Sequence, residues 1–300
     1  MSTKIFSPEL EAIGIIKKDE VLANHTTFKV GGPAAYFLET NDSEIIQKAI
    51  RIANKAGLKF AALGGGSNVL VSDQGFNGLI IKISSSRCDL IDTNKLDADA
   101  GTSLAKIIRT ALSQNLTGLE FAIGIPGSFG GAIAGNAGTS GHGIAEYVES
   151  LKYVDKTGVL KICDKSQLDV SYRYTRFKYT PEDIIISAIL ILAPAQPIES
   201  QKLVKEAMEK RSWQPKGVWC AGCIFKNPAN KSAGKLIDEA GLKGKTIGGA
   251  KISEEHGNFI INTGKAKAED IIILISFIKQ QIRDQFGVQL EEEVRYLGFN

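Results

Sequence analysis

Residues 124–138 read Gly124-Ile125-Pro126-Gly127-Ser128-Phe129-Gly130-Gly131-Ala132-Ile133-Ala134-Gly135-Asn136-Ala137-Gly138. Small residues dominate the stretch, but Ile125, Phe129 and Ile133 are interleaved as apolar anchors, so it reads as packed structure and not as a linker. Glycine lets backbone approach a ligand closely and take up positive φ. Nine glycines fall in the 26 positions from 118 to 143, in a chain with 31 among its 300 residues. A small-residue wall against a flat ring or a diphosphate fits this pattern. A glycine-rich helix packed closely on a strand fits it as well.

A second loop, Gly64-Gly65-Gly66-Ser67-Asn68, follows the apolar strand expected over 59–63. Successive backbone N–H groups in such a turn can form an anion nest, and Ser67 and Asn68 add side-chain donors. Its plain alternative is a strand-to-strand turn. No G-x-G-x-x-G follows a strand, which removes support for the common dinucleotide fold. Gly244-Lys245-Thr246 ends like a phosphate loop, but the earlier glycine it needs would stand at Glu239, so it reads as a turn.

Outward from these loops the pattern mixes helix and strand without a strict repeat, which favours α+β. Asp42-Ser43 caps a helix with Ile45, Ile46, Ala49, Ile50 and Ala53 on one face and Gly57 at its end. Helices are also expected over 103–113, 198–211, 232–240 and 268–286. Strands are expected over 36–39, 79–83, 148–154, 159–163, 184–192, 247–252, 259–261 and 290–297. Pro194 and Pro197 mark a domain boundary, and residues 1–23 read as a leading helix and linker. The division expected is a lead over 1–23, one domain over 24–195 and a second over 196–300.

Three hundred residues make about two domains. With 36 Lys+Arg against 33 Asp+Glu the net charge is +3, too balanced for a strong nucleic-acid or membrane-surface binder. The longest apolar run, 271–278, falls far short of the roughly 20 residues of a spanning helix. The N-terminus lacks an apolar signal region. Four cysteines make no disulfide scaffold, so a reduced cytoplasmic protein is expected.

Three further segments carry chemical groups. Trp219-Cys220-Ala221-Gly222-Cys223 contains a C-x-x-C, but it runs into Pro228 where a thioredoxin motif would open a long helix, and zinc would need two more ligands. Cys223 remains either a functional thiol or a buried inert one. Ser171-Tyr172-Arg173-Tyr174-Thr175-Arg176-Phe177-Lys178 holds three cations and three aromatics. Arg173 could grip a carboxylate or phosphate in bidentate fashion, and a solvated edge strand is the alternative. In a closing strand, Glu291, Glu293 and Arg295 would share one face. His25, His142 and His256 read as structural or surface residues, with a ligand-orienting His256 as the other reading.

Taken in order, residues 24–33, 64–70, 124–138, 171–178, 221–228, 233–244, 256–264 and 290–298 resemble the UDP-N-acetylenolpyruvoylglucosamine reductases of bacterial peptidoglycan synthesis, in their shorter type. The resemblance implies an FAD-binding domain of the vanillyl-alcohol-oxidase (PCMH) type, made of two α+β subdomains, and a C-terminal α+β substrate-binding domain, with the active site in the cleft between. It implies FAD and NADPH as cofactors and a nucleotide-sugar substrate. No nucleic acid and no membrane insertion are expected, and the protein would be a monomer or weak oligomer.

By the same resemblance Gly64, Gly65, Gly66, Ser67, Asn68, Gly124, Pro126, Gly127, Ser128, Gly131, Asn136 and Gly138 would hold FAD. Tyr172, Lys226 and Asn227 would contact substrate. Arg173 would hold the substrate carboxylate. Glu293 would sit beside that carboxylate and share a proton with it. The proton donor falls on Cys223, where the family usually has Ala-Gly-Ser. A thiol keeps a proton on the heteroatom and is the stronger acid, though a weaker hydrogen-bond donor and oxidisable. Rival readings are a sugar- or alcohol-oxidising flavoprotein of the same fold, a non-catalytic nucleotide-sugar binder, and a thiol redox protein using Cys220 and Cys223.

Overall fold

A computed structural model describes residues 8–139 and 141–299. The notional leader over 1–23 is thus described only from Pro8: a helical turn Pro8–Glu11, then the strand Ile16–Val21; its first seven residues lie outside the described residues. The chain divides into two compact units. The first comprises Met1–Lys18, Tyr36–Gly65 and Asn77–Ser212, and the second Asp19–Ala35, Gly66–Phe76 and Trp213–Asn300.

The first unit holds two sheets. One has the order Ile16–Val21, Pro33–Thr40, Phe76–Ile83, Lys59–Ala62, with the last pair parallel. Helix Ser43–Lys55 buries Ile46, Ala49, Ile50 and Ala53, the stripe expected from the sequence, and Asp42 caps it by accepting from Glu44 and Ile45 N–H. The second sheet is antiparallel, in the order Leu160–Asp164, Val148–Val154, Ile184–Ile191, Lys95–Asp99, Cys88–Asp92. Helix Leu104–Ser113 packs its Leu104, Ile107, Ile108 and Ala111 into the core with Phe129, Ile133 and Ile144. Past Pro194 and Pro197 the same unit continues. Helix Pro197–Glu209 contacts the short helix Glu120–Ala122, and Arg211 Nη2 donates to the Phe121 carbonyl at 3.3 Å.

The second unit is built on an antiparallel sheet in the order Trp219–Cys223, Phe259–Asn262, Ala250–Ile252, Thr246–Ile247. Helix Ala268–Phe286 buries Ile271, Leu274, Ile275, Ile278 and Ile282 in its core, beside Ile237, Ile252 and Ile260. Gly287 ends that helix in the left-handed conformation.

Two expected strands are corrected. The run 247–252 is a hairpin, because Gly248 at φ +54° turns the chain and a Cβ at Gly249 would lie 2.3 Å from Ala266 N. The run 290–297 is extended and paired only at Arg295–Leu297, parallel to Val69–Val71, with an isolated bridge at Glu292. Residues 291–294 lie outside that strand, with a bend at Val294, so Glu291, Glu293 and Arg295 do not share one strand face.

Candidate active site

In the first unit the two small-residue loops meet. Gly65 N–H donates to Ser128 Oγ at 3.2 Å. A Cβ at Gly64 would stand 2.4 Å from Ser128 Oγ, and one at Gly65 would stand 2.8 Å from Gly127 Cα. Real Cβ atoms do not come that close, so Gly65 admits no side chain without moving backbone, and Gly64 admits none unless the Ser128 hydroxyl moves aside. Gly124 and Gly127 take positive φ, at +81° and +120°. Residues 129–134 of the wall form a short glycine-rich helix. The cradle so formed presents backbone and hydroxyl groups, the donor set suited to a diphosphate and to the edge of a ring.

The arginine turn hangs from the same wall. Ser171 and Tyr174 exchange backbone hydrogen bonds at 3.1 Å, closing a tight turn and not an edge strand. Inside it Arg173 has φ +57°, a conformation disfavoured for any residue with a Cβ. Contacts from several residues fix it. Asn136 Nδ2 donates to the Ser171 carbonyl at 2.9 Å, while its Oδ1 accepts from Ala145 N–H. Arg173 Nη1 donates to the Gly138 carbonyl at 2.6 Å, and the guanidinium lies 5.5 Å from the Tyr172 ring centroid. Lys178, buried to 3% exposure, donates to the Arg173 carbonyl at 2.8 Å. Thr175 Oγ1 donates towards the Ile133 and Ala134 carbonyls. Tyr172 is over half exposed, available to a ligand.

The second unit gathers the remaining groups. Gly66 has φ +65°, and its missing Cβ makes room for the His25 carbonyl. Thr27 N–H donates to the Gly66 carbonyl at 3.0 Å, and Thr27 Oγ1 donates to the Cys220 carbonyl at 2.7 Å. Asn68 Nδ2 donates to the Glu293 carbonyl at 3.3 Å. Cys223 ends the strand Trp219–Cys223 past a bulge, with Gly222 at φ +74° and Phe259 as its strand partner. None of the four cysteines is in a disulfide, and burial pushes the Cys220 thiol up. The C-x-x-C therefore lies on a bulged strand and not at a helix start. Among the described residues no three His, Cys, Asp or Glu side chains are grouped to hold a metal.

Lys226 pairs with Glu291 at 3.2 Å. Asn227 Oδ1 accepts the Ala233 N–H at the head of helix Ala233–Glu239. His256 stacks on Trp213 with centroids 4.5 Å apart, and burial with nearby Lys243 holds its pKa below the ordinary value. Among these residues Thr27, Thr175 and Lys178 are not singled out by the sequence. Thr27 lies inside the 24–33 motif and Thr175 and Lys178 inside 171–178, but Thr27 and Thr175 act through hydrogen bonds to distant carbonyls, which no local pattern encodes. Among the described residues no helix is long and apolar enough to cross a membrane.

Comparison with known proteins bears on these residues. Residues 214–297 match the family described as UDP-N-acetylenolpyruvoylglucosamine reductase, C-terminal domain, and residues 33–164 match that described as FAD binding domain. The UDP-N-acetylenolpyruvoylglucosamine reductase of Anoxybacillus flavithermus is 39% identical over 288 residues, 95% of each chain. That of Bacillus subtilis is 35% identical over 293 residues, 96% of each. The crystal structure of the Thermus caldophilus enzyme superposes with a TM-score of 0.80 at 33% identity, covering 92% of this chain and 97% of that one.

Proposed function

The chain belongs to the UDP-N-acetylenolpyruvoylglucosamine reductase family, and from that premise we propose that Arg173, Cys223 and Glu293 carry its chemistry. The activity is the NADPH-dependent, FAD-dependent reduction of the enolpyruvyl ether of UDP-N-acetylglucosamine to UDP-N-acetylmuramate in peptidoglycan precursor synthesis. A sugar- or alcohol-oxidising flavoprotein is not favoured beside full-length identity of this kind.

The two loops suit FAD: a Cβ at Gly64 would strike Ser128 Oγ and one at Gly65 would strike Gly127, so glycine lets backbone lie against backbone where the resemblance implies the cofactor. The residues proposed to hold FAD are those of the two loops, from Gly64 to Asn68 and from Gly124 to Gly138. FAD held by these loops would supply the hydride chemistry between NADPH and the enolpyruvyl double bond. Arg173, always charged, grips the substrate carboxylate and offsets the negative charge that spreads onto it. The Cys223 thiol gives its proton to the carbon bearing that carboxylate, completing addition of H⁻ and H⁺ across the double bond. Glu293 lies beside the carboxylate. Tyr172, Lys226 and Asn227 contact the nucleotide sugar.

One pattern carries this assignment: two of the three proposed catalytic residues, Arg173 and Glu293, are hydrogen-bonded to the proposed cofactor loops. Arg173 donates to the Gly138 carbonyl, and Asn68 donates to the Glu293 carbonyl. FAD binding is assigned to 24–195 and substrate binding to 196–300. The enzyme works in the cytoplasm as a monomer or weak oligomer, on small molecules and not on nucleic acid. Its balanced charge and four cysteines in no disulfide support that setting.

The test is anaerobic. NADPH should bleach the flavin absorbance, and the enolpyruvyl nucleotide sugar should restore it. Restoration by oxygen alone, with the nucleotide sugar inert, would overturn the reading.

A further inference from the structure

Asn258 is only 2% exposed and spends its hydrogen-bonding groups on the residues that follow Cys223. Its backbone carbonyl accepts the Ile224 N–H at 2.9 Å. Its Oδ1 accepts the Phe225 N–H at 2.9 Å, and its Nδ2 donates to the Phe225 carbonyl at 2.8 Å. On the opposite edge of this short stretch, the Ile224 carbonyl accepts the Glu293 N–H at 2.7 Å, and Lys226 N–H donates to the Glu291 carbonyl at 2.9 Å. Phe225 and Glu292 form an antiparallel bridge.

Residues 224–226 lie outside any strand, yet they are held on both edges, on one by residues 291–293 and on the other by Asn258. A carboxamide offers one acceptor and one donor side by side, as a hydrogen-bonded strand residue does. Asn258 thus takes the place of one residue in a ladder that has run out.

The ladder needs this substitute because Cys223 stands at a bulge. The register between Trp219–Cys223 and Phe259–Asn262 shifts between Cys220 and Cys223, so ordinary pairing is disrupted there. The Asn258 backbone is in turn held: its main-chain N–H donates to His256 Nδ1 at 3.0 Å.

From this geometry we infer that Asn258 is the positioning residue that sets where Cys223 stands relative to Glu293. The inference rests on the roles proposed above for those two residues. No other side-chain type of that size fills the place. Aspartate lacks the donor and leaves the buried Phe225 carbonyl without its partner, and glutamine adds a methylene in a closed site.

The test separates the two half-reactions in the FAD-loaded enzyme. In Asn258→Asp, bleaching of the flavin by NADPH should stay within about twofold of the parent, because that step needs neither Cys223 nor Glu293. Restoration by the enolpyruvyl nucleotide sugar should slow at least tenfold, and hydrogen exchange at the Glu293 amide should quicken. Asn258→Ser, which also loses the donor to Phe225, should show the same asymmetry and serves if the aspartate variant does not fold. Equal slowing of both steps, or slowing of neither, overturns the inference.

Glu293→Gln and Cys223→Ala are measured alongside. If these leave the second step untouched, the proposed roles fail. If they slow it and the Asn258 variants do not, the positioning inference alone fails. Asn258→Asp added to Cys223→Ala should cost little further rate, since the two act through one group.

Discussion

The side-chain amide of Asn68 donates to the backbone carbonyl of Glu293 at 3.3 Å, joining residues 225 positions apart. The pair is continued by Arg295 N–H, which donates to the Asn68 carbonyl at 3.1 Å, and by the parallel pairing of Arg295–Leu297 with Val69–Val71. The glycine loop thus hands directly into the strand that receives the end of the chain, and Glu293 stands two residues before that pairing begins.

Asn68→Ala should remove one partly buried hydrogen bond and lower stability by about 1 kcal/mol. It should also slow restoration of flavin absorbance by the nucleotide sugar more than bleaching by NADPH. Denaturant titration and separate half-reaction traces check the two parts, and an unaltered second step would count against Glu293 in the site.

Gly65→Ala should cost FAD. Its Cβ would stand 2.8 Å from Gly127 Cα, and the obstructing atom is backbone. The purified variant should carry much less than one flavin per chain, read from the visible absorbance. Gly217→Ala, where nothing lies within 4 Å of the added Cβ, should remain yellow.

Arg173 combines two demands that mutations can separate. Its left-handed φ of +57° favours glycine, while its guanidinium is the proposed carboxylate grip. Arg173→Gly should be more stable than Arg173→Ala by about 1 kcal/mol. Both should lose activity by two orders of magnitude or more. Thermal melts rank the stabilities, and equal melting points would argue that the turn carries no strain. Lys178→Met, which frees the Arg173 carbonyl, should raise the substrate KM while sparing the NADPH step.

Cys223→Ser should keep substantial turnover, and Cys223→Ala should lose most of it, because only the first leaves a proton on the heteroatom. Cys220→Ser should change little. Steady-state NADPH consumption with the nucleotide sugar decides, and equal rates for all three would remove Cys223 from proton delivery.

His256 predicts a pH dependence. Burial and the nearby Lys243 charge hold its folded-state pKa below the unfolded value, with Asp238 opposing weakly. The unfolded chain then binds the proton more readily, so stability rises with pH across this window. The contribution is complete above about pH 6.5 and is lost as pH falls towards the folded pKa. His256→Gln should flatten the slope of unfolding free energy in the range just below about pH 6.5. An unchanged slope would show that the ring titrates alike in both states.

Much of the molecule was legible along the chain. Helix Ala268–Phe286 and helix Ser43–Lys55 follow from apolar spacing, capping groups and a terminal glycine, all local signals. The glycine loops were legible for a related reason: dense small residues punctuated by anchors mark places where backbone must come close to something. The hairpin at Gly248-Gly249 was legible too, in the glycine pair that breaks the apolar run, but the run was read through it.

The sequence by itself determined the α+β class, the helices, the two small-residue loops and, by resemblance, the reductase family. Tertiary structure alone decided that Gly65 meets Gly127, that the Arg173 turn hangs from Asn136 and Gly138, and that Asn258 replaces a strand residue beside Cys223. The reason is physical. Helix and turn preferences are set by neighbours within a few residues, whereas a side-chain amide finds its carbonyl only after burial has removed water from both and left no other partner.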